Sequence, residues 1–313
     1  MPELRVFSIP MRVRFRGVDV REGVLVRGAD GWGEFSPFPD YDVAACVPWL
    51  RAAREAADVG WPEPLRTSVP VNVTVPAVGP QRAADIVRAS AGARTAKVKV
   101  AEPGQGESDD LARVEAVRDA IGRDGRVRVD ANGAWDVATA VRMVRLLDRW
   151  DLEYVEQPCA TVEELAAVRR QVEVPVAADE SIRRADDPLR VARLDAADIA
   201  VLKVAPLGGV AACLRIAEQI GLPVVVSSAL ETSVGIAAGL ALAAALPDLP
   251  YACGLATLQL LDGDVSSSPL RVVDGELRVE RPEPDAVAAV AADEQTVARW
   301  QSRYQRVSAL EGL

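Results

Sequence analysis

The chain of 313 residues is 50% hydrophobic but only 4% aromatic, which is core material for two average domains or one large decorated barrel and excludes disorder of the whole. A net charge of −10, with a pI near 4.8, excludes a general nucleic-acid binder, and no uncharged apolar run reaches the roughly 18 residues of a membrane helix. Histidine is absent, which removes Ser-His-Asp and Cys-His catalysis, the usual zinc sites and histidine general bases.

Residues 4–27 alternate in polarity (LRVFSIPMRVRF, then GVDVREGVLVRG) and predict two or three antiparallel strands, the last turning at Gly28–Gly31. GWGEFSPFPDY (31–41) crowds glycine, proline and aromatic residues and reads as a loop. Ala44, Val47, Leu50 and Ala53 keep helical spacing in a helix over about 42–58, closed by Gly60, Pro62 and Pro64. A boundary near Thr67 then sets off an N-terminal α+β segment, 1–67.

Beyond it the texture changes. Short Val-rich runs at 69–75, 96–100, 127–130, 152–158, 175–180, 199–204 and 223–228 alternate with helices at 80–91, 108–121, 136–149, 161–171, 186–194 and 208–220. This alternation predicts an α/β fold with a parallel sheet wrapped as a (β/α)8-type barrel over 68–262. An eighth strand is expected near 251–255, after a buried Ala-rich helix at 233–245. VRVVDGELRVE returns to antiparallel pairing with a hairpin signal at Asp274–Gly275, and a polar helix follows. The segment 263–313 is expected to rejoin 1–67 as one small α+β domain. Cys46, Cys159, Cys213 and Cys253 lie far apart and read as buried reduced thiols. MPELRVFSIP lacks the apolar core of a signal peptide, so the expected compartment is the cytoplasm.

The ends of the strands carry the charge. Lys97 and Lys99 close the second barrel strand, Asp130 and Asn132 follow the third, Glu156 the fourth, Asp179 and Glu180 the fifth, and Lys203 the sixth. Successive positions fall between roughly 23 and 31 residues apart, about one βα unit, so each charge recurs at one height of the barrel, on its C-terminal rim. Any one of these carboxylates alone reads as a helix cap or a solvated loop residue. Together, Asp130, Glu156 and Asp179 repel one another unless a cation sits among them, and an all-oxygen set without imidazole or thiolate selects a hard ion such as Mg²⁺. Lys97 beside Lys99 on one strand face gives a like-charge repulsion that lowers a lysine pKa toward the range of a general base. The set suits removal of a proton beside a carboxylate, with the cation stabilising the enediolate.

At these residues the sequence resembles the enolase superfamily, in its subgroup related to muconate lactonising enzymes. TAKVKV, RVDANGAW, YVEQP, ADES and VLKVAPLGG carry the resemblance in order from Lys97 to Gly209. GWGEFSPF, VSSALETSVG (226–235) and GLATLQLL (254–261) point within it to members that dehydrate a succinyl-hydroxycyclohexadiene carboxylate in menaquinone biosynthesis. The resemblance implies a modified TIM barrel, (β/α)7β, capped by the α+β domain, with Mg²⁺ (or Mn²⁺ in its place) on Asp130, Glu156 and Asp179. It also implies Lys99 as the base, Lys203 as a cation on the opposite face of the ring, and Lys97 hydrogen-bonding the substrate carboxylate. Arg128, Asn132 and Glu180 would stand behind these, and Ser227 and Gly254 would border a small-molecule carboxylate, with neither nucleic acid nor membrane as partner. The same two lysines would equally serve 1,1-proton transfer, as in an N-succinylamino acid racemase or a dipeptide epimerase. A metal-free Schiff-base lyase using Lys203, or a barrel that only binds small acids, leaves the three carboxylates without a role.

Overall fold

Two strands of alternating polarity open the chain in the computed structural model, which describes residues 2–311. β1 (Leu4–Phe15) and β2 (Val18–Arg27) run antiparallel, from Leu4 opposite Val26 to Pro10 opposite Val20. Arg16 and Gly17 join them, both at positive φ (51° and 75°), as a two-residue hairpin turn requires. β3 (Trp32–Phe35) pairs with β2 and falls inside the stretch expected to be loop. The Gly and aromatic content that suggests a loop instead serves close packing: a Cβ on Gly33 would lie 1.9 Å from the Ala53 carbonyl oxygen. The expected helix over 42–58 begins later. α1 covers Val47–Arg54 with Pro48 in its first turn, and a π-helical turn, Glu55–Val59, extends it.

The expected strand 69–75 is two strands. β4 (Ser68–Pro70) turns away, and β5 (Val73–Val75) enters the barrel. Proline at 70 has no N–H to give a central ladder, which suits it to the short outer pair. The barrel then runs through α2 (Pro80–Arg88), β6 (Thr95–Lys99), α3 (Glu107–Ile121), β7 (Arg126–Asp130), α4 (Val137–Leu147), β8 (Leu152–Glu156), α5 (Val162–Arg169) and β9 (Val176–Ala178). It continues through the single turns α6 (Glu180–Arg183) and α7 (Arg190–Arg193), β10 (Ile199–Leu202), the turn α8 (Val204–Leu207), α9 (Val210–Ile220), β11 (Val224–Val226) and α10 (Ser233–Ala245). Strands β5 to β11 stand in sequence order in one parallel sheet. The expected eighth strand contracts to two residues, Cys253 bridging Val71 and Gly254 bridging Ser227, and these join β11 back to the start. Several strands are shorter than the apolar runs suggest, because Asp179 and Lys203 turn into one-turn helices at the rim.

Alternation along the strands sorts the core. Tyr154, Ile199, Val201 and Val225 fill the barrel interior, while Val155, Ala200, Leu202 and Val224 pack outward against the helices. At the N-terminal end of the barrel, away from the rim, β12 (Glu276–Arg278) pairs antiparallel with β4 after the turn at Asp274–Gly275 (φ 51° and 80°). The closing α11 (Glu294–Glu311) buries Thr296, Trp300, Tyr304 and Val307 along one stripe. Trp300 and Tyr304 meet Phe35 edge-on at 6.2 and 5.8 Å, so the last helix and the first sheet share one cap core.

Candidate active site

Register places the charges level. Lys99 stands opposite Asp130, Asp130 opposite Glu156, and Glu156 opposite Ala177, two residues before Asp179. Lys203 follows β10 with the inward parity of Ile199 and Val201. Asp130, Glu156 and Asp179 are buried to 1% exposure or less, which demands a partner for every charge.

Each charge has one. Lys97 Nζ donates to both Glu156 oxygens (2.9 and 3.0 Å) and lies 3.2 Å from Asp130 Oδ2. Lys99 Nζ donates to Asp130 Oδ2 (2.5 Å) and Asn132 Oδ1 (2.6 Å), and Lys203 Nζ to Asp179 Oδ2 (2.6 Å). Asn132, at φ 47°, donates from its amide to Glu180 Oε1 (3.1 Å) and from its backbone to Asp130 Oδ1 (3.0 Å).

Burial opposes the Asp130 carboxylate, but Lys99 and Lys97 outweigh it and hold its pKa far below the usual range. Asp179 is likewise held low by Arg183 and Lys203 against its burial. Glu156 goes the other way: burial, then the Asp130 charge, push it up to about 7 despite Lys97. The expected lowering of lysine pKa by the Lys97–Lys99 repulsion fails at Lys97. Burial lowers it, but Glu156 and Asp130 prevail and hold the ammonium well above a free lysine. Lys203 is the lysine pulled down, by burial first and then, against Asp179, by Arg183 and Lys97.

Two residues outside the expected set complete the network. Arg183, on α6, donates to Asp179 Oδ1 (2.9 Å), Glu180 Oε1 (2.5 Å) and the Tyr41 hydroxyl of the cap (2.6 Å). Gln157, at φ 40°, accepts from the backbone N–H of Asp179 and of Ser181 (both 3.1 Å) and so fixes the rim turn. Gln157 stands in the YVEQP motif, where its neighbour Glu156 draws attention away from it. Arg183 lies one helical turn beyond Asp179, and that spacing is its only mark in the sequence.

Arg128 is elsewhere. Two residues below Asp130 on the same face, it lies in the barrel floor, where it donates to Glu153 Oε2 (2.5 Å) and the Ala252 carbonyl (2.7 Å) and stacks on Tyr154 at 4.6 Å. It takes no part in the cavity, because its side chain points down the barrel. Ser227 and Gly254 do border the cavity, together with Phe15, Arg16 and Phe38 from the cap. What remains open there is about 40 Å³.

Among the described residues no three carboxylates, thiolates or imidazoles converge as a ready-made metal cage. The carboxylates expected to share one ion face ammonium groups instead. The donor set nevertheless fits a hard divalent ion: oxygen ligands only, Glu156 resisting ionisation beside its partners, and Glu180 Oε2 buried with no hydrogen-bond partner. Four carboxylates (Asp130, Glu156, Asp179, Glu180) face four cations (Lys97, Lys99, Lys203, Arg183). A divalent cation would leave that balance ready for a dianionic substrate.

Residues 6–57 match the family described as enolase N-terminal domain-like, and residues 81–284 match the enolase C-terminal domain-like family. An o-succinylbenzoate synthase of Thermobifida fusca (strain YX) is 67% identical over 301 residues, covering 96% of this chain and 94% of the relative. The protein of that name in Mycolicibacterium smegmatis is 55% identical over 313 residues, with 99% and 96% covered. Among solved structures, a muconate lactonizing enzyme from Pseudomonas fluorescens complexed with muconolactone superposes with a TM-score of 0.78 at 23% identity, over 96% of this chain and 98% of that one. No described helix is long and apolar enough to cross a membrane.

Proposed function

This chain belongs to the enolase superfamily, whose members use a divalent metal, and from that premise we propose that it dehydrates 2-succinyl-6-hydroxy-2,4-cyclohexadiene-1-carboxylate to o-succinylbenzoate, a step of menaquinone biosynthesis. The observation that carries this reading is the nearly full-length likeness to relatives bearing that name, joined to an intact set of three rim lysines and their carboxylates.

Asp130, Glu156 and Asp179 would hold the metal, for which Mg²⁺ suits the oxygen donors and Mn²⁺ is an acceptable substitute. Once bound, that ion supplies electrostatic stabilisation for negative charge growing on the substrate carboxylate. Lys99, in its deprotonated form, takes the ring proton beside the carboxylate; the ring then expels hydroxide from the neighbouring carbon, and the proton on Lys99 joins it as water. A single lysine on one face makes the elimination syn. Asn132, 2.6 Å from Lys99, aims the amine. Lys203 faces the ring from across the barrel as a cation. Lys97 neutralises Glu156 and reaches Asp130, which keeps two carboxylates together at one rim.

A cavity of about 40 Å³ is far below the several hundred Å³ of a small-molecule pocket, so entry of the ring requires the wall of cap turn and rim loop to move. Four buried free thiols suit a reducing compartment, and we place the activity in the cytoplasm. Incubating the protein with Mg²⁺ and the cyclohexadiene substrate should raise the ultraviolet absorbance of the aromatic product. No product, from protein shown to bind Mg²⁺, would overturn the assignment.

A further inference from the structure

A second buried charge cluster lies at the seam between cap and barrel. Arg21 on β2 and Glu34 on β3 are 3% and 5% exposed, and both reach out of the cap to the segment between β11 and α10. Arg21 Nε donates to the Leu230 carbonyl (2.9 Å) and Nη2 to the Ala229 carbonyl (3.2 Å) and to Ser36 Oγ (2.9 Å). Glu34 Oε2 accepts from the Thr232 N–H (3.0 Å), the Thr232 hydroxyl (2.6 Å) and the Gly235 N–H (3.2 Å). It thereby caps α10 from another part of the fold. A Cβ at Gly235 would stand 2.9 Å from that same oxygen, so the approach requires glycine.

Leu230, which Arg21 holds, has φ 62°, a conformation its branched side chain disfavours and that persists where the surroundings impose it. Ser228, Ala229 and Leu230 are also cavity wall, beside Ser227 and close to Lys203 through the pairing of Leu202 with Val226. A clamp needed only to glue two regions could be apolar at lower desolvation cost. This one spends its donors on the carbonyls of cavity residues.

We infer that Arg21 and Glu34 are positioning residues of the active site: they act from the cap, through the Ala229–Thr232 backbone, to set the wall against which substrate is held. The inference rests on the proposed dehydration at this cavity and adds the residues that shape it.

The test compares Arg21→Met, Arg21→Lys and Glu34→Gln with the parent enzyme. The readouts are kcat and KM, calorimetric affinity for o-succinylbenzoate, calorimetric affinity for Mg²⁺, and melting temperature. Arg21→Met should raise KM and product Kd at least about tenfold, with kcat held within about threefold and Mg²⁺ affinity within about twofold, because no group touching metal or proton is altered. Arg21→Lys, which restores a donor to at least one carbonyl, should recover part of that loss. A role confined to stability would lower the melting temperature and leave both constants of the folded protein in place. Folded Arg21→Met with KM and product Kd within twofold of the parent therefore overturns the inference. If Arg21→Met does not fold, the near-isosteric Glu34→Gln decides by the same limits. A parent enzyme that binds Mg²⁺ but makes no product overturns the functional reading itself, before any variant is compared.

Discussion

The barrel rim and the cap–barrel seam are both buried clusters of paired charges, yet they are built on opposite plans. At the rim, charges arrive from every βα unit from β6 to β10, and the carboxylates of the three middle units are flanked by lysines on either side of a small cavity. At the seam, one arginine and one glutamate from adjacent cap strands grip a single loop through its backbone. Side chains at the rim are chemically free to exchange partners, because each carboxylate has an alternative in the metal and each ammonium one in the substrate carboxylate. Backbone carbonyls at the seam have no such alternative. The rim is arranged to react and the seam to hold.

Breaking the rim should be far more damaging to turnover. Lys99→Ala is expected to lower dehydration by at least about 10²–10⁴-fold with the fold retained, since the residue sits at a strand end where no other group can move the proton. Product formation alongside circular dichroism measures this, and activity within tenfold of the parent sinks Lys99 as the base. Lys203 sharpens the point. Lys203→Arg keeps a cation on the ring face but cannot act as a base near neutral pH, so it should retain measurable dehydration where Lys99→Arg retains none. Equal loss in the two variants would contradict a one-base elimination and favour a two-base proton transfer. Glu156→Gln removes a proposed ligand and should weaken Mg²⁺ binding at least about tenfold by calorimetric titration. Unchanged affinity would remove Glu156 from the metal site.

The seam should answer to pH, and more gently. Burial, then the neighbouring Glu231 charge, push Glu34 up to about 7, while Arg21, Ser36 and Thr232 pull it down. A carboxyl whose pKa is higher folded than unfolded contributes stability that is complete below its unfolded value near 4.5 and is lost as pH rises through about 7. Glu34→Gln lacks that loss. Its melting temperature relative to the parent should therefore climb between pH 5 and pH 8, and a difference that stays flat would show that Glu34 is ionised throughout.

The contrast also explains what the sequence makes legible. Rim residues carry a period, because each sits at the inner end of an apolar run, and the runs recur with the βα unit. Lys97, Lys99, Asp130, Asn132, Glu156, Asp179, Glu180 and Lys203 accordingly meet in space as their spacing suggests. Arg128 shares that parity but lies one layer too deep, and parity along a strand does not report depth. Arg21 has no period to announce it. It stands in an alternating edge-like segment where a charge reads as solvent-facing, and only the cap folding onto residues 229–230 buries it. Likewise β3 is hidden in a Gly- and Pro-rich stretch, because its glycine serves close approach rather than a turn.

The sharing of one cap core by β1–β3 and α11 has a consequence for how the chain is made. A ribosome releases the first three strands some 260 residues before the helix that covers Phe35, an interval of roughly 13–50 s at ordinary elongation rates. Through that interval the barrel strands are made in sheet order, while the face of Phe35 that α11 covers has only α1 and the loop before it to pack against. The order of completion thus departs from the order of synthesis: the aromatic layer over Phe35 closes only when Trp300 and Tyr304 arrive with α11, after the barrel strands have been made.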